Sequence, residues 1–179
     1  IIGNIVLNSI GKWEGSSSTV TLLAHGIFLD DLSNSVTVSG NSVAGCGGVG
    51  YDFHRATNID INNNTAYNNG TKGNWMKGAI IFQCDANNPP FKGIKLNNNI
   101  FVARTVNQLA FFYYLQSTNK SDITQFGAAD NNYYARPIDD DSAILVNSSY
   151  YDVKGWQSYS SQDAHSKGSP KSITNLNDL

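Results

Sequence analysis

A pattern written twice between Gly26 and Gly70 constrains this chain more than any other feature. Residues 26–31 (GIFLDD) align with residues 50–55 (GYDFHR), 24 positions on. Residues 36–38 (VTV) align with 59–61 (IDI), and Asn41 with Asn64, each 23 positions on. A fixed period of this length belongs to stacked supersecondary units, none of which can bury its apolar face alone. Within each copy the apolar residues alternate: Ile27 and Leu29, Val36 and Val38, then Tyr51 and Phe53, Ile59 and Ile61. Alternation over short runs broken by Gly, Asn and Ser is the strand signature. Short strands that each meet their own equivalent one repeat later make a parallel β-solenoid.

The register extends in both directions. Asn4, Asn41, Asn64, Asn99 and Asn132 stand at equivalent places, separated by 37, 23, 35 and 33 residues, so a core coil of 23 carries insertions. Asn suits such a corner because it tolerates the left-handed backbone conformation and forms side-chain ladders from layer to layer. The expected architecture is all-β, with about five coils over residues 1–135 and a C-terminal wrap, or linker to a further domain, over 136–179. Two inward stacks are expected, Leu29–Phe53–Ile81 and Val38–Ile61–Leu96.

Residues 9–25 and 71–77 interrupt the coils as insertions carrying Trp13 and Trp75, and the PP pair at 89–90 marks a turn. The first residues, IIGN, enter what reads as a coil already in progress. An N-terminal cap is therefore expected to be missing, with the first coil covered by an upstream part of the same protein or by another chain. Cys46 and Cys84 sit at non-equivalent places in the repeat, which predicts two free thiols. Formal net charge is −2, and the absence of a basic stripe leaves no electrostatic case for nucleic acid. No apolar run is long enough for a membrane-spanning helix.

The run GIFLDD…VTVSGN, the strand G-x-x-x-H-R and the turn I-x-I-N-N-N resemble secreted right-handed parallel β-helix proteins of the pectate-lyase-like superfamily. This variant is similar to carbohydrate-active proteins of Bacteroidetes, in which a segment like Trp156…Gln162-Asp-Ala-His-Ser166 often follows the helix. The resemblance implies a right-handed β-helix, secretion or display at the cell surface, and a polysaccharide partner. It is specific for fold and weak for activity, because this scaffold hosts lyases, hydrolases, esterases and adhesins. None of the compact catalytic motifs of pectate lyases or polygalacturonases is complete.

The repeat nevertheless gathers functional side chains. With Ile27, Leu29, Tyr51 and Phe53 inward, Phe28, Asp30, Asp52 and His54 point outward. Stacking puts Asp30 beside His54, Asp31 beside Arg55, and Phe82 and Gln83 beneath His54 and Arg55. The expected catalytic set is Asp30, Asp52, His54 and Arg55 in one solvent-facing groove, with Asp31, Gln83, Trp13 and Trp75 binding substrate. A hydrolase would use Asp30 and Asp52 as its acid/base pair. A lyase would use Arg55 to neutralise a sugar carboxylate and His54 as base. Asp30, Asp31 and Asp52 are ligands of the type that holds calcium, and the sequence leaves the metal open. The alternative is a non-catalytic carbohydrate-binding or adhesin segment that stacks sugars on Trp13, Trp75, Tyr113 and Tyr114. A second outer column, Thr37–Asp60–Lys95, reads as structural, and Asp163 and His165 as anchors of the wrap.

Overall fold

The computed structural model of the chain describes residues 1–11, 23–72, 76–84, 91–115, 123 and 125–169. It is mostly β, and its strands fall into three stacks. Sheet 1 holds β1 (Ile5–Leu7), β4 (Ser42–Ala44), β7 (Thr65–Tyr67), β10 (Ile100–Val102) and β13 (Tyr133–Ala135). Sheet 2 holds β2 (Ile27–Leu29), β5 (Tyr51–His54), β8 (Ile80–Cys84), β11 (Phe111–Leu115), β14 (Ile144–Val146) and β15 (Ser149–Tyr151). Sheet 3 holds β3 (Asn34–Ser39), β6 (Thr57–Asn62), β9 (Ile94–Asn97) and β12 (Gly127–Asp130). The chain visits the three sheets in turn, and each strand pairs in parallel with its equivalent one coil later. Among the described residues only β14–β15 is antiparallel, and the helix Val153–Ser160 follows it.

The doubled motif pairs as its alignment requires: Ile27 opposite Tyr51, Leu29 opposite Phe53, Val36 opposite Ile59 and Val38 opposite Ile61. Gly26 and Gly50 immediately precede β2 and β5, and Gly78 stands two residues before β8, where backbone passes close to each. A Cβ on Gly50 would lie 2.6 Å from the Ala79 carbonyl oxygen. Between the sheets runs one apolar core, including Phe53 stacked on Phe82 at 5.1 Å and closed at the far end by Trp156 against Phe111 at 5.2 Å.

The asparagine register holds through all five marks. The backbone N–H and the side-chain Nδ2 of Asn41 both donate to Asn64 Oδ1, at 3.0 and 2.9 Å. Asn4 does the same to Asn41, Asn64 to Asn99, and Asn99 to Asn132. The left-handed conformation, however, falls one residue earlier, at Gly3, Gly40, Asn63, Asn98 and Asn131. The corner therefore divides its work. One residue takes the positive φ, and the next turns its amide inward to satisfy buried polar groups.

Two expectations are corrected. Phe53 pairs with Phe82 and His54 with Gln83, so the inward stack is Leu29–Phe53–Phe82, and Ile81 faces out. A one-residue shift exchanges the faces of a strand, and here the larger ring takes the core among Phe91, Phe111 and Phe126. The stack Val38–Ile61–Leu96 forms as expected. Past residue 135 the repeat also continues further than the Asn marks indicate, because β14 pairs in parallel with β11.

The wrap is tied to the coils by Asp163. Its carboxylate accepts from Asn132 Nδ2 at 2.9 Å, Tyr134 Oη at 3.1 Å, Trp156 Nε1 at 2.7 Å and Ser166 Oγ. The ladder of amides thus ends on an acceptor that needs no further donor. His165 pairs at the surface with Asp130, Nδ1 to Oδ2 at 2.7 Å.

Candidate functional site

The site is built from two consecutive coils. Asp30 and Asp31 follow β2, and His54 and Arg55 stand at the equivalent end of β5, so parallel pairing brings the four together. His54 Nδ1 lies 2.9 Å from Asp30 Oδ1 and 3.1 Å from Asp31 Oδ1. Arg55 Nη1 donates to Asp31 Oδ2 at 3.2 Å. Both carboxylates are exposed, while His54 and Arg55 are partly buried. The hydrogen bond from His54 is the main cause that holds the Asp30 carboxyl below the usual range, with the Asp31 backbone adding to it.

Two carboxylates on Nδ1 fix that nitrogen as the protonated one. In the neutral ring, Nε2 is then the acceptor. Arg55 has φ 51°, but left-handed backbone also occurs at Leu32, Ser35, Asn58 and other corners, so it belongs to the recurring turns between strands.

Asp52 departs from expectation. It points to the outer side of sheet 2, as alternation requires, yet its accessible surface is 0%. That side of the sheet is a second apolar layer formed by Val49, Met76, Ile81, Leu109, Phe112 and Leu145, with Tyr114 packed against it. The signal was present in β8 and β11. Their sequences, IIFQC and FFYYL, are apolar on both faces, as strands covered on both sides are.

Beneath this cover, Gln83 Nε2 donates to both oxygens of Asp52, at 2.8 and 2.9 Å. His25, which the sequence reading passed over, brings Nε2 to 3.2 Å from Asp52 Oδ2. The Val49 N–H donates to His25 Nδ1 at 3.2 Å, so Nε2 carries the ring proton, though out of line for a hydrogen bond. Burial holds His25 neutral, with its pKa down at about 4, and pushes Asp52 up to about 7. The Phe28 ring, exposed on its outer side, lies 5.4 Å from the His25 ring. His25 was legible only as the repeat partner of Val49, at the same 24-residue offset.

The expected residues therefore separate. Asp30, Asp31, His54 and Arg55 form one exposed cluster. Asp52 and Gln83 form a sealed polar pair with His25. Trp13 and Trp75 lie outside the described residues. Tyr113 is buried against Phe82, Phe91 and Phe126, so it offers no stacking platform.

Asp30, Asp31 and His54 bring ligand atoms within 4.8 Å of one another. Calcium takes six to eight oxygens. Among the described residues this cluster offers two carboxylates and one nitrogen, and a ring proton sits between them. Asp52, the third expected ligand, is buried and bound to Gln83. The donor set does not fit calcium.

The second outer column pairs as read, Thr37 opposite Asp60 and Asp60 opposite Lys95. Beside it Ser39 Oγ donates to Asn62 Oδ1 at 2.6 Å, and Asn62 Nδ2 to Asp60 Oδ1 at 2.9 Å. Among the described residues no helix is long and apolar enough to cross a membrane. Comparison with known protein families, curated proteins and solved structures finds no match to this chain.

Proposed function

We propose that this chain is a secreted or surface-displayed right-handed parallel β-helix that degrades an acidic polysaccharide by elimination. The observation that carries this reading is His54, its Nδ1–H held by two carboxylates, beside the Arg55 cation on an exposed edge. An orienting carboxylate sets the imidazole tautomer and stabilises the imidazolium that forms when Nε2 takes a proton. Arg55 supplies the charge that a uronate carboxylate needs, which acidifies the adjacent C–H. Base removal of that proton forms a carbon–carbon double bond as the neighbouring glycosidic C–O bond breaks. The departing oxygen takes its proton from water.

Elimination is favoured over hydrolysis because the hydrolytic pair required Asp52 at the surface. In this arrangement Asp30 and Asp31 position His54, and Asp52 supports the sheet from behind. A non-catalytic carbohydrate-binding role is the second reading. It draws on the fact that Arg55 is already paired with Asp31, which offsets the charge available to acidify a substrate C–H.

The test is the absorbance of unsaturated products from uronate polysaccharides, with neutral polysaccharides as controls. His54→Ala and Arg55→Ala are expected to lower turnover about 100-fold or more, within the usual range for a general base. Binding without turnover in the unmodified protein, lost in Arg55→Ala, would favour the second reading. Wild-type turnover in both variants would remove this cluster as the catalytic one.

A further inference from the structure

We infer that a depression on the outer face of sheet 3, lined by Asn58, Ile59, Asp60, Gly93 and Lys95, binds one unit of an acidic saccharide. Its residues belong to β6 and β9 or to the turn that leads into β9. Both strands are interior, β6 between β3 and β9, and β9 between β6 and β12. Gly93 keeps the depression open, since its φ is 67° and a Cβ there would collide with Asn58 Oδ1. The volume is about 270 Å³. Sites for drug-sized ligands run to roughly 300–1,000 Å³, so this one takes a single sugar ring, with neighbouring units outside its mouth.

The polar groups specify the ligand. Asp60 and Lys95 stand directly opposite on paired strands, where opposite charges ordinarily join. Among the described residues no ion pair forms between them. Asp60 is turned instead along its own strand: Oδ1 accepts from Asn62 Nδ2 at 2.9 Å, and Asn62 Oδ1 accepts in turn from Ser39 Oγ at 2.6 Å. That relay fixes the carboxylate and leaves Oδ2 with no donor among the described residues. Lys95 and Asn58 are exposed, one offering a cation and the other an amide that both donates and accepts. A uronate ring matches this set. Its carboxylate goes to Lys95, one hydroxyl donates to Asp60 Oδ2, and a neighbouring hydroxyl pairs with the Asn58 amide. A compact inorganic anion would meet the Asp60 carboxylate as well as Lys95.

The place of the depression gives it a use. Asn58 follows Arg55 by three residues, about 10 Å at full extension, and lies in the half of β6 nearest that corner. A polysaccharide held at Arg55 therefore reaches around the corner onto sheet 3, where the depression holds a further unit of the same chain. The identity of the ligand as a saccharide rests on the carbohydrate reading above, whereas the depression itself uses neither His54 nor Arg55.

The probes are oligosaccharides of galacturonate, guluronate and mannuronate, with oligosaccharides of xylose and glucose as neutral controls. They are titrated into the full chain carrying His54→Ala, which removes the proposed base, and followed by amide NMR. An acidic oligosaccharide is expected to shift the resonances of residues 58–60 and 93–95. Adding Lys95→Gln should weaken its binding about fivefold, the loss of one exposed charge contact. Equal affinity with and without Lys95→Gln, or shifts at those residues from neutral oligosaccharides alone, would overturn the acidic ligand. Unsaturated products from the unmodified protein, with no shifts at either stretch, would leave elimination standing and remove this site. Shifts there that depend on Lys95, with no products from the unmodified protein, would keep the site and remove elimination.

Discussion

His25 Nε2 stands 3.2 Å from Asp52 Oδ2, and neither side chain reaches solvent to any useful degree. Burial drives their proton affinities apart, to about 4 for the imidazole and about 7 for the carboxyl. Each shift contributes to stability with its own sign. Folded Asp52 keeps its proton to higher pH than the unfolded chain does, so its contribution is present below pH 4 and lost as pH rises to 7. Folded His25 binds its proton less well than the unfolded chain, so its contribution grows from pH 4 to 6.5. The two oppose each other over most of the same window.

Single variants should separate them. Subtracting the wild-type profile from that of Asp52→Asn should leave a difference that rises between pH 4 and 7. The His25→Gln difference should fall between pH 4 and 6.5. Each should span on the order of 3 kcal/mol in urea unfolding across the pH series. A flat difference for Asp52→Asn would mean that this carboxyl titrates normally and that the cover over it opens readily.

Asn99→Leu should be among the more damaging single changes in the coils. Asn64 N–H and Nδ2 both donate to Asn99 Oδ1, and Asn99 Nδ2 donates to the Ile61 and Asn97 carbonyls and to Asn132 Oδ1. Each buried group left without a partner costs about 1–3 kcal/mol, so a loss of several kcal/mol is expected. The same change at the exposed Asn4 should cost far less. Chemical denaturation of the two variants decides it, and equal losses would show that the ladder does not carry the coil corners.

Asp163→Asn should release the C-terminal wrap while leaving the coils folded. The carboxylate accepts from Asn132 and Ser166 on Oδ1 and from Tyr134 and Trp156 on Oδ2, so in either orientation the new amide nitrogen would be set against two donors. Trp156 emission should shift to the red, and limited proteolysis should cut between residues 147 and 168 at least tenfold faster. Unchanged emission and cleavage would mean that packing of Trp156 on Phe111 holds the wrap without the carboxylate.

Much of the parallel stacking was legible because a repeat constrains itself. Two copies of one pattern define a register, and the alternation in Val36–Val38 and Ile59–Ile61 says which side is inward. The Asp30–His54 and Asp31–Arg55 neighbours followed from that register alone. The reading failed where an insertion separates one coil from the next. Residues 71–77 leave the count into β8 ambiguous by one, and only competition between Ile81 and Phe82 for the core resolves it.

The sequence by itself determined the coil period, the ladder of Asn4, Asn41, Asn64, Asn99 and Asn132, and the meeting of four charged side chains on adjacent strands. These follow from local periodicity and from equivalence between copies. Tertiary structure alone decided that the outer side of sheet 2 is a second apolar layer rather than a groove. It took Asp52 out of water, gave it His25 and Gln83 as neighbours, and left His54 with Arg55 at the surface. Outward direction is a property of a strand, whereas exposure depends on what the rest of the chain lays over it.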